Sequence, residues 1–215
     1  MNKKILVLLL LFPVIISASS HKRLDSLRMA VFRQCGLPNS GNLLITPAAA
    51  NQYINIAIQR VSSDFPAVEK AAAIVCSDGV ASYAMDTTFD RLRWCRIWKY
   101  EDSILYPIRV VDGDSLWEMT MRGKTAPEKI EQPEPAYVYS WGKTIFVHPV
   151  PQYADTLHYG FYAIGRNLTS NADTTDVREA FRDLIIILAS AYIARDLENY
   201  TASESFFNQY IRRMK

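Results

Sequence analysis

Cysteine is scarce and poorly placed for covalent stapling. The 215-residue chain has three, Cys35, Cys76 and Cys95, odd in number, widely spaced and without a CxxC. A disulfide framework needs pairs, so they read as buried thiols of a reducing compartment. Of the three histidines, His21, His148 and His158, the last two fall in strands read as neighbours. No third ligand stands at a metal spacing, so they read as surface or packing residues. Net charge is nearly absent, at +2, which favours neither a nucleic-acid-binding nor an acidic-substrate class.

Motifs that carry chemistry are missing as well. Gly142-Lys143-Thr144 and Gly123-Lys124-Thr125 resemble the end of a phosphate loop, but the glycine required five residues earlier is replaced by Tyr137 and Glu118. Asp112-Gly113-Asp114 lacks the further oxygen ligands of a calcium loop and reads as a turn with a helix cap. No nucleophile elbow gathers a serine with a base. The chain is therefore read as non-enzymatic, with no catalytic, cofactor-binding or metal residue and no cofactor.

What is present is apolar and aromatic substance: 49% hydrophobic and 12% aromatic residues, enough to bury a core in one large domain or two small ones. The first twenty residues form a leader. Asn2-Lys3-Lys4 is basic, Ile5 to Ile16 is apolar apart from Pro13, and Ser17-Ala18-Ser19-Ser20 is small. This pattern resembles a secretory signal peptide and is short for a membrane span. The competing reading is a misplaced start, with Met29 and the residues just before it open to a shorter product.

Beyond the leader, Leu24, Leu27, Val31 and Cys35 recur at helical spacing up to Gly36 and Pro38. Thr46-Pro47 caps a second helix whose stripe is Ala50, Tyr53, Ile54, Ala57, Ile58 and Val61, with Asn51, Asn55, Gln59 and Arg60 off it. Ala71–Cys76 and Val80–Met85 flank Ser77-Asp78-Gly79 as a hairpin, and Leu92–Tyr100 and Ile104–Val111 are further strands. Leu116–Met121 is read as a short helix and Gly123–Pro135 as a long exposed loop. Tyr137 to Arg166 reads as a three-strand meander, turned at Gly142 and bent at Pro149-Val-Pro151. A capping box of Asp176 and Glu179 should open a long helix to about Leu197. Its segment Leu184–Ala189 is apolar all round, which implies burial from several directions. Thr201 and Glu204 should cap a last helix bearing Phe206, Phe207, Tyr210, Ile211 and Met214. The expected fold is α+β: a bundle from N- and C-terminal helices with an inserted antiparallel β-sandwich or barrel-like domain. Its boundaries are 1–20 for the leader, 21–66 for the first helices, 67–168 for the β-domain and 169–215 for the last helices.

Four local patterns stand in this order: Asn55-x-Ala57-Ile58-x-Arg60, Asp78-Gly79-x-x-x-Tyr83, Phe89-Asp-Arg-Leu-Arg93 and Ile145-Phe-Val-His-Pro149-Val-Pro151. A strand, a polar loop and Glu179-Ala-Phe181 opening a long helix follow. From about Leu24 to Ile211 the chain resembles the head–tail adaptor (connector, tail tubular gatekeeper-like) proteins of tailed bacteriophages. The resemblance implies a helical bundle with a β-sandwich insertion, and a structural virion protein assembled in the host cytoplasm. It implies a homo-oligomeric ring, commonly twelvefold, beneath the portal protein, passing DNA without sequence-specific contacts and offering a platform to the downstream tail or nozzle protein. No membrane is implied for the mature domain. If the leader is a real signal peptide, the alternative is a secreted or periplasmic (envelope) binding protein without enzymatic activity. The candidate interface residues are Phe206, Phe207, Tyr210, Arg212 and Arg213, with the Gly123–Pro135 loop as a second contact. Arg91, Arg93 and Arg96, interleaved with Trp94 and Trp98, fit a solvated strand face or a surface facing passing DNA.

None of the leader's apolar residues is needed to complete the stripes found later. A chain begun near Ser20 is expected to fold, with an ordinary α+β circular dichroism spectrum and a cooperative melt. An unfolded or insoluble product would overturn that reading.

Overall fold

The computed structural model describes residues 22–42, 44–99, 104–111, 137–148, 150–151 and 154–214. Within them, two helices precede seven strands and two follow, so the α+β class holds. Helix α1 (Leu24–Gln34) buries Leu24, Leu27, Val31 and Phe32. Helix α2 (Pro47–Asp64) starts where expected: the Thr46 hydroxyl accepts from the Ala49 N–H at 3.2 Å. Its stripe of Ala50, Ile54, Ala57, Ile58 and Val61 is fully buried.

The strands are β1 (Glu69–Val75), β2 (Ser82–Ala84), β3 (Phe89–Lys99), β4 (Ile104–Val110), β5 (Tyr137–Trp141), β6 (Thr144–His148) and β7 (Thr156–Ala163). They form one curled, mixed sheet in the order β1-β7-β3-β4-β5-β6-β2. Two expected pairings are corrected. The segments around Ser77-Asp78-Gly79 do not pair with each other: β1 joins β7 and β2 joins β6, at opposite ends of the order. Within the expected meander, β5 and β6 do form a hairpin, with Gly142 at φ +57, but β7 leaves it and inserts between β1 and β3. The ladder breaks after His148, as expected, and the chain resumes as β7 across the sheet and not in the next position. It follows that His148 and His158 are not on neighbouring strands. The β4–β5 pair is parallel, a departure from the antiparallel expectation.

The alternation read in β7 is present: Leu157, Tyr159, Phe161 and Ala163 are all buried. They pack with Cys95, Ile97, Ile108, Val138, Ile145 and Val147 on the sheet's inner side, in one cluster with the helix residues. Gly160 is the close approach on the outer side, where the Trp94 indole lies and a Cβ would overlap it.

Helix α3 (Glu179–Asp196) is the hub of the helical part, touching α1, α2 and α4 (Tyr200–Arg212). It is buried on every side from Leu184 to Ala191, as its continuous apolar run requires. Both expected caps are corrected. Arg178 stands at the α3 N-cap with no side-chain cap, and Asp176 faces Arg166 at 3.5 Å. At α4 the cap is Asn199, which accepts from the Ala202 N–H at 3.1 Å. Asn199 wins by standing one residue ahead of the helix, where an N-cap acceptor has to be. The short helix expected at Leu116–Met121 and the loop at Gly123–Pro135 lie outside the described residues.

Leu184→Ala and Leu188→Ala are each expected to cost about 2–5 kcal/mol in urea unfolding, because both side chains are enclosed and the space left cannot collapse fully. Losses below about 0.5 kcal/mol would place this helix at a surface.

Candidate functional surfaces

Two surfaces carry the candidate residues. The first is the end of α4. Its aromatic residues face inward. Tyr210 is 4% exposed, and its hydroxyl donates to Asp64 Oδ2 at 2.8 Å, on the same carboxylate that Arg60 Nε reaches at 2.8 Å. Phe65 lies edge-on to Tyr210 at 5.9 Å and tilted against Phe181 at 5.6 Å. Phe207 meets Tyr192 edge-on at 5.6 Å, and Tyr192 stacks on Tyr53. Phe206 and Phe207 are half-buried against the core. The helix's exposed end is carried by Ile211, Arg212, Arg213 and Met214. Beside it, Ala30, Arg33, Gln34, Asp183, Ile186, Ile187 and Arg213 line an apolar-floored groove of about 360 Å³ between α1, α3 and the end of α4.

The second surface is the outer face of β1, β7, β3 and β4. Arg91, Arg93 and Arg96 are all exposed there. The structure brings them together with aromatic rings: Arg91 and Arg93 lie 5.3 and 6.0 Å from the Tyr162 ring centre, and Arg96 lies 5.5 Å from that of Trp94. Arg93 also pairs with Glu69, whose other oxygen is 3.6 Å from Arg178. At the far end, exposed Val75, Trp98 and Leu105 occupy the outer side of β1, β3 and β4, with Thr156 of β7 between the first two. A guanidinium held over a ring keeps its charge but loses part of its freedom to reach outward.

Sequence reasoning missed a third feature, the polar face of α2. Asn55 accepts from the Leu168 N–H at 2.8 Å and donates to the Leu168 carbonyl at 3.0 Å. Gln59 donates to Asn167 and Arg28 bridges Asn51 to Asn171. Ser62 Oγ accepts from the Gly165 N–H at 2.8 Å. Asn51, Asn55 and Gln59 were read as lying off the stripe, yet with Arg28 and Ser62 they hold the chain between β7 and α3. The signal was available: an asparagine can satisfy one backbone residue twice.

Ordinary chemistry is little in view. The Cys76 and Cys95 thiols are buried and free, and burial pushes Cys95 up to about 12, far from a reactive thiolate. His148 stacks on Tyr137 at 4.9 Å. Among the described residues no group of His, Cys, Asp or Glu is arranged to hold a metal ion, and no helix is long and apolar enough to cross a membrane.

These features define an α+β protein whose exposed ends and edges, and not a cleft, carry its candidate residues. Residues 23–215 match the model of the SU10 adaptor protein family, and the chain belongs to that family of phage head–tail adaptors. No curated protein matches it.

Burial and the bond to Asp64 hold the Tyr210 phenol above its ordinary value of 10.0. A phenol raised in the folded chain contributes stability that is whole below that ordinary value and is lost as pH climbs toward the folded value. Tyr210→Phe is expected to cost about 1–2 kcal/mol at neutral pH. It should also flatten the loss of stability above about pH 10, measured by urea unfolding across the alkaline range. An unchanged alkaline slope would remove Tyr210 from that titration.

Proposed function

We propose that this chain is a structural virion protein, a head–tail adaptor that forms a ring beneath the portal protein, extends the DNA channel and gives the tail or nozzle protein its attachment platform. The family match over residues 23–215 is the observation that carries this reading. A twelvefold ring is the expected stoichiometry. A closed ring of identical subunits needs two different complementary surfaces on each copy. The end of α4 and its groove supply one kind, a rim of arginines over isoleucine, and the apolar far end of the sheet's outer face, with Trp98 and Leu105, supplies another.

The Phe206, Phe207 and Tyr210 rings act in this picture from beneath. They fix α4 to α3 and α2, so that Arg212 and Arg213 project from a rigid support. Arg91, Arg93 and Arg96 are proposed to face the channel. DNA that must move past a surface is best met by charge without tight clamping, and guanidiniums occupied by Tyr162, Trp94 and Glu69 fit that need.

Removing all of α4 would uncover the buried side of α3, so point changes test docking more cleanly than truncation. The double variant Arg212→Glu, Arg213→Glu is expected to fold within about 0.5 kcal/mol of the native chain, since both side chains are exposed. Its occupancy on tailless, portal-bearing heads, counted by electron microscopy, is expected to fall to below about a tenth of native. Native occupancy by the variant would take the end of α4 out of the interface. No docking by the native chain itself would count against the adaptor reading.

A further inference from the structure

β1 is an edge of the sheet: it pairs with β7 and, among the described residues, with no second strand. Its register runs from Glu69↔Tyr162 to Val75↔Thr156 without a shift. In an antiparallel ladder alternate residues turn both backbone groups toward the neighbour, and the others turn both away. Two bonds fix the phase. The Ala163 N–H donates to the Val68 carbonyl at 3.0 Å, and the Cys76 N–H to the Asp155 carbonyl at 2.7 Å. Even-numbered positions therefore face β7, while Glu69, Ala71, Ala73 and Val75 aim N–H and C=O outward. The same positions carry the strand's exposed side chains, Val75 to 67%.

Open edges of this kind accept another strand unless proline, a bulge or charge guards them. β1 has neither proline nor bulge. Lys70 is turned to the inner side, where its Nζ donates to Thr88 Oγ1 at 3.1 Å, so its charge is not presented at the edge. Glu69 is held by Arg93 and Arg178.

We propose that β1 pairs, antiparallel and about a two-fold axis, with β1 of a second copy of this chain. The outward positions are symmetric about Ala72, so Ala71 meets Ala73 and Glu69 meets Val75, and no like charges come opposite one another. Alanines at the centre let the two backbones close to the usual spacing of about 4.8 Å. The facing residues then exchange about eight hydrogen bonds. An isologous contact closes on itself, so it belongs to the free chain and is separate from the head-to-tail contacts of a ring. It does not rest on the adaptor reading.

Sedimentation velocity of the full chain, with Ala73→Pro and Ala73→Lys, tests the pairing. Proline at an outward edge position removes only an outward N–H, so the subunit should keep its fold. The native chain is expected to dimerise with rising concentration, and each variant to weaken dimerisation about tenfold or more with circular dichroism unchanged. In the native chain, hydrogen exchange at the Ala71 and Ala73 amides should slow as concentration rises. A native chain monomeric up to about 100 µM, or variants that dimerise as strongly as it does, overturns the proposal. If Ala73→Pro fails to fold, the lysine variant and the exchange rates decide. Normal docking on tailless heads by a chain that is monomeric in solution removes the two-fold pairing and leaves the adaptor reading standing.

Discussion

Residues 76–81 join two strands that stand at opposite ends of the seven-strand order. In a flat sheet those strands would lie about six spacings of 4.8 Å apart, or roughly 29 Å. The connecting chain reaches at most about 24 Å when fully stretched. The sheet has to curl, and the connection is not stretched. It is folded onto the proline bend, with the Gly79 N–H donating to the Pro151 carbonyl at 3.0 Å and the Cys76 N–H to Asp155. On the other side the Val147 N–H donates to the Ala81 carbonyl at 2.9 Å. Both edges of the sheet are thus tied to one short loop. The curl follows from that tether, and so does the concave inner side on which Leu157, Tyr159, Phe161, Ile145 and Val147 gather.

This constraint also explains what was legible beforehand and what was not. Helix positions came through because their evidence is local: α2 and α3 announce themselves by a cap or by a 3.6-residue stripe. The faces of β7 came through for the same reason, since alternation is a property of the strand itself. Pairing is not local. Ser77-Asp78-Gly79 has the composition of a hairpin turn, and Gly79 does take φ +72, but the strands it joins splay apart to serve different neighbours. Nothing in the residues on either side of Gly79 separates a turn that closes a hairpin from one that links two edges. The proline bend misled in the same way: a broken ladder was readable, its destination was not. The caps failed more narrowly. Asp176 had the right residue type, but Arg166 held it while the helix began later, at Glu179.

The candidate surfaces divide along the same line. Arg96 could be seen to lie on an exposed strand face, because inward Cys95 and Ile97 flank it. Arg91 and Arg93 share the parity of those two and reach the outer side only through the register shifts between Phe89 and Arg91 and between Leu92 and Trp94. The Tyr162 ring under Arg91 and Arg93 could not be foreseen, since it belongs to β7, which reaches β3 only by crossing the sheet. On α4 the apolar side chains suggested more surface than one helix face needs. Part of it is internal, because Phe65 at the end of α2 and Tyr192 of α3 meet Tyr210 and Phe207, while Ile211 and Met214 stay exposed. Composition of a single helix does not say how many partners surround it.

An adaptor has to be rigid where it is gripped and tolerant where it is passed. The helical part meets the first demand. α3 is enclosed, α4 is locked to it through Ser203, which donates to the Ala191 carbonyl at 2.9 Å, and to α2 through Tyr210 and Asp64. Force applied at the exposed end of α4 is therefore transmitted into the most buried helix among the described residues. In the proposed role the sheet meets the second demand. Its outer face displays cations whose positions are set by rings, with backbone supplied by a curled ladder and with Asn55 clamping the way back to the helices. The two parts share one continuous core, so a load taken by α4 and a contact made on β3 are borne by the same packed interior.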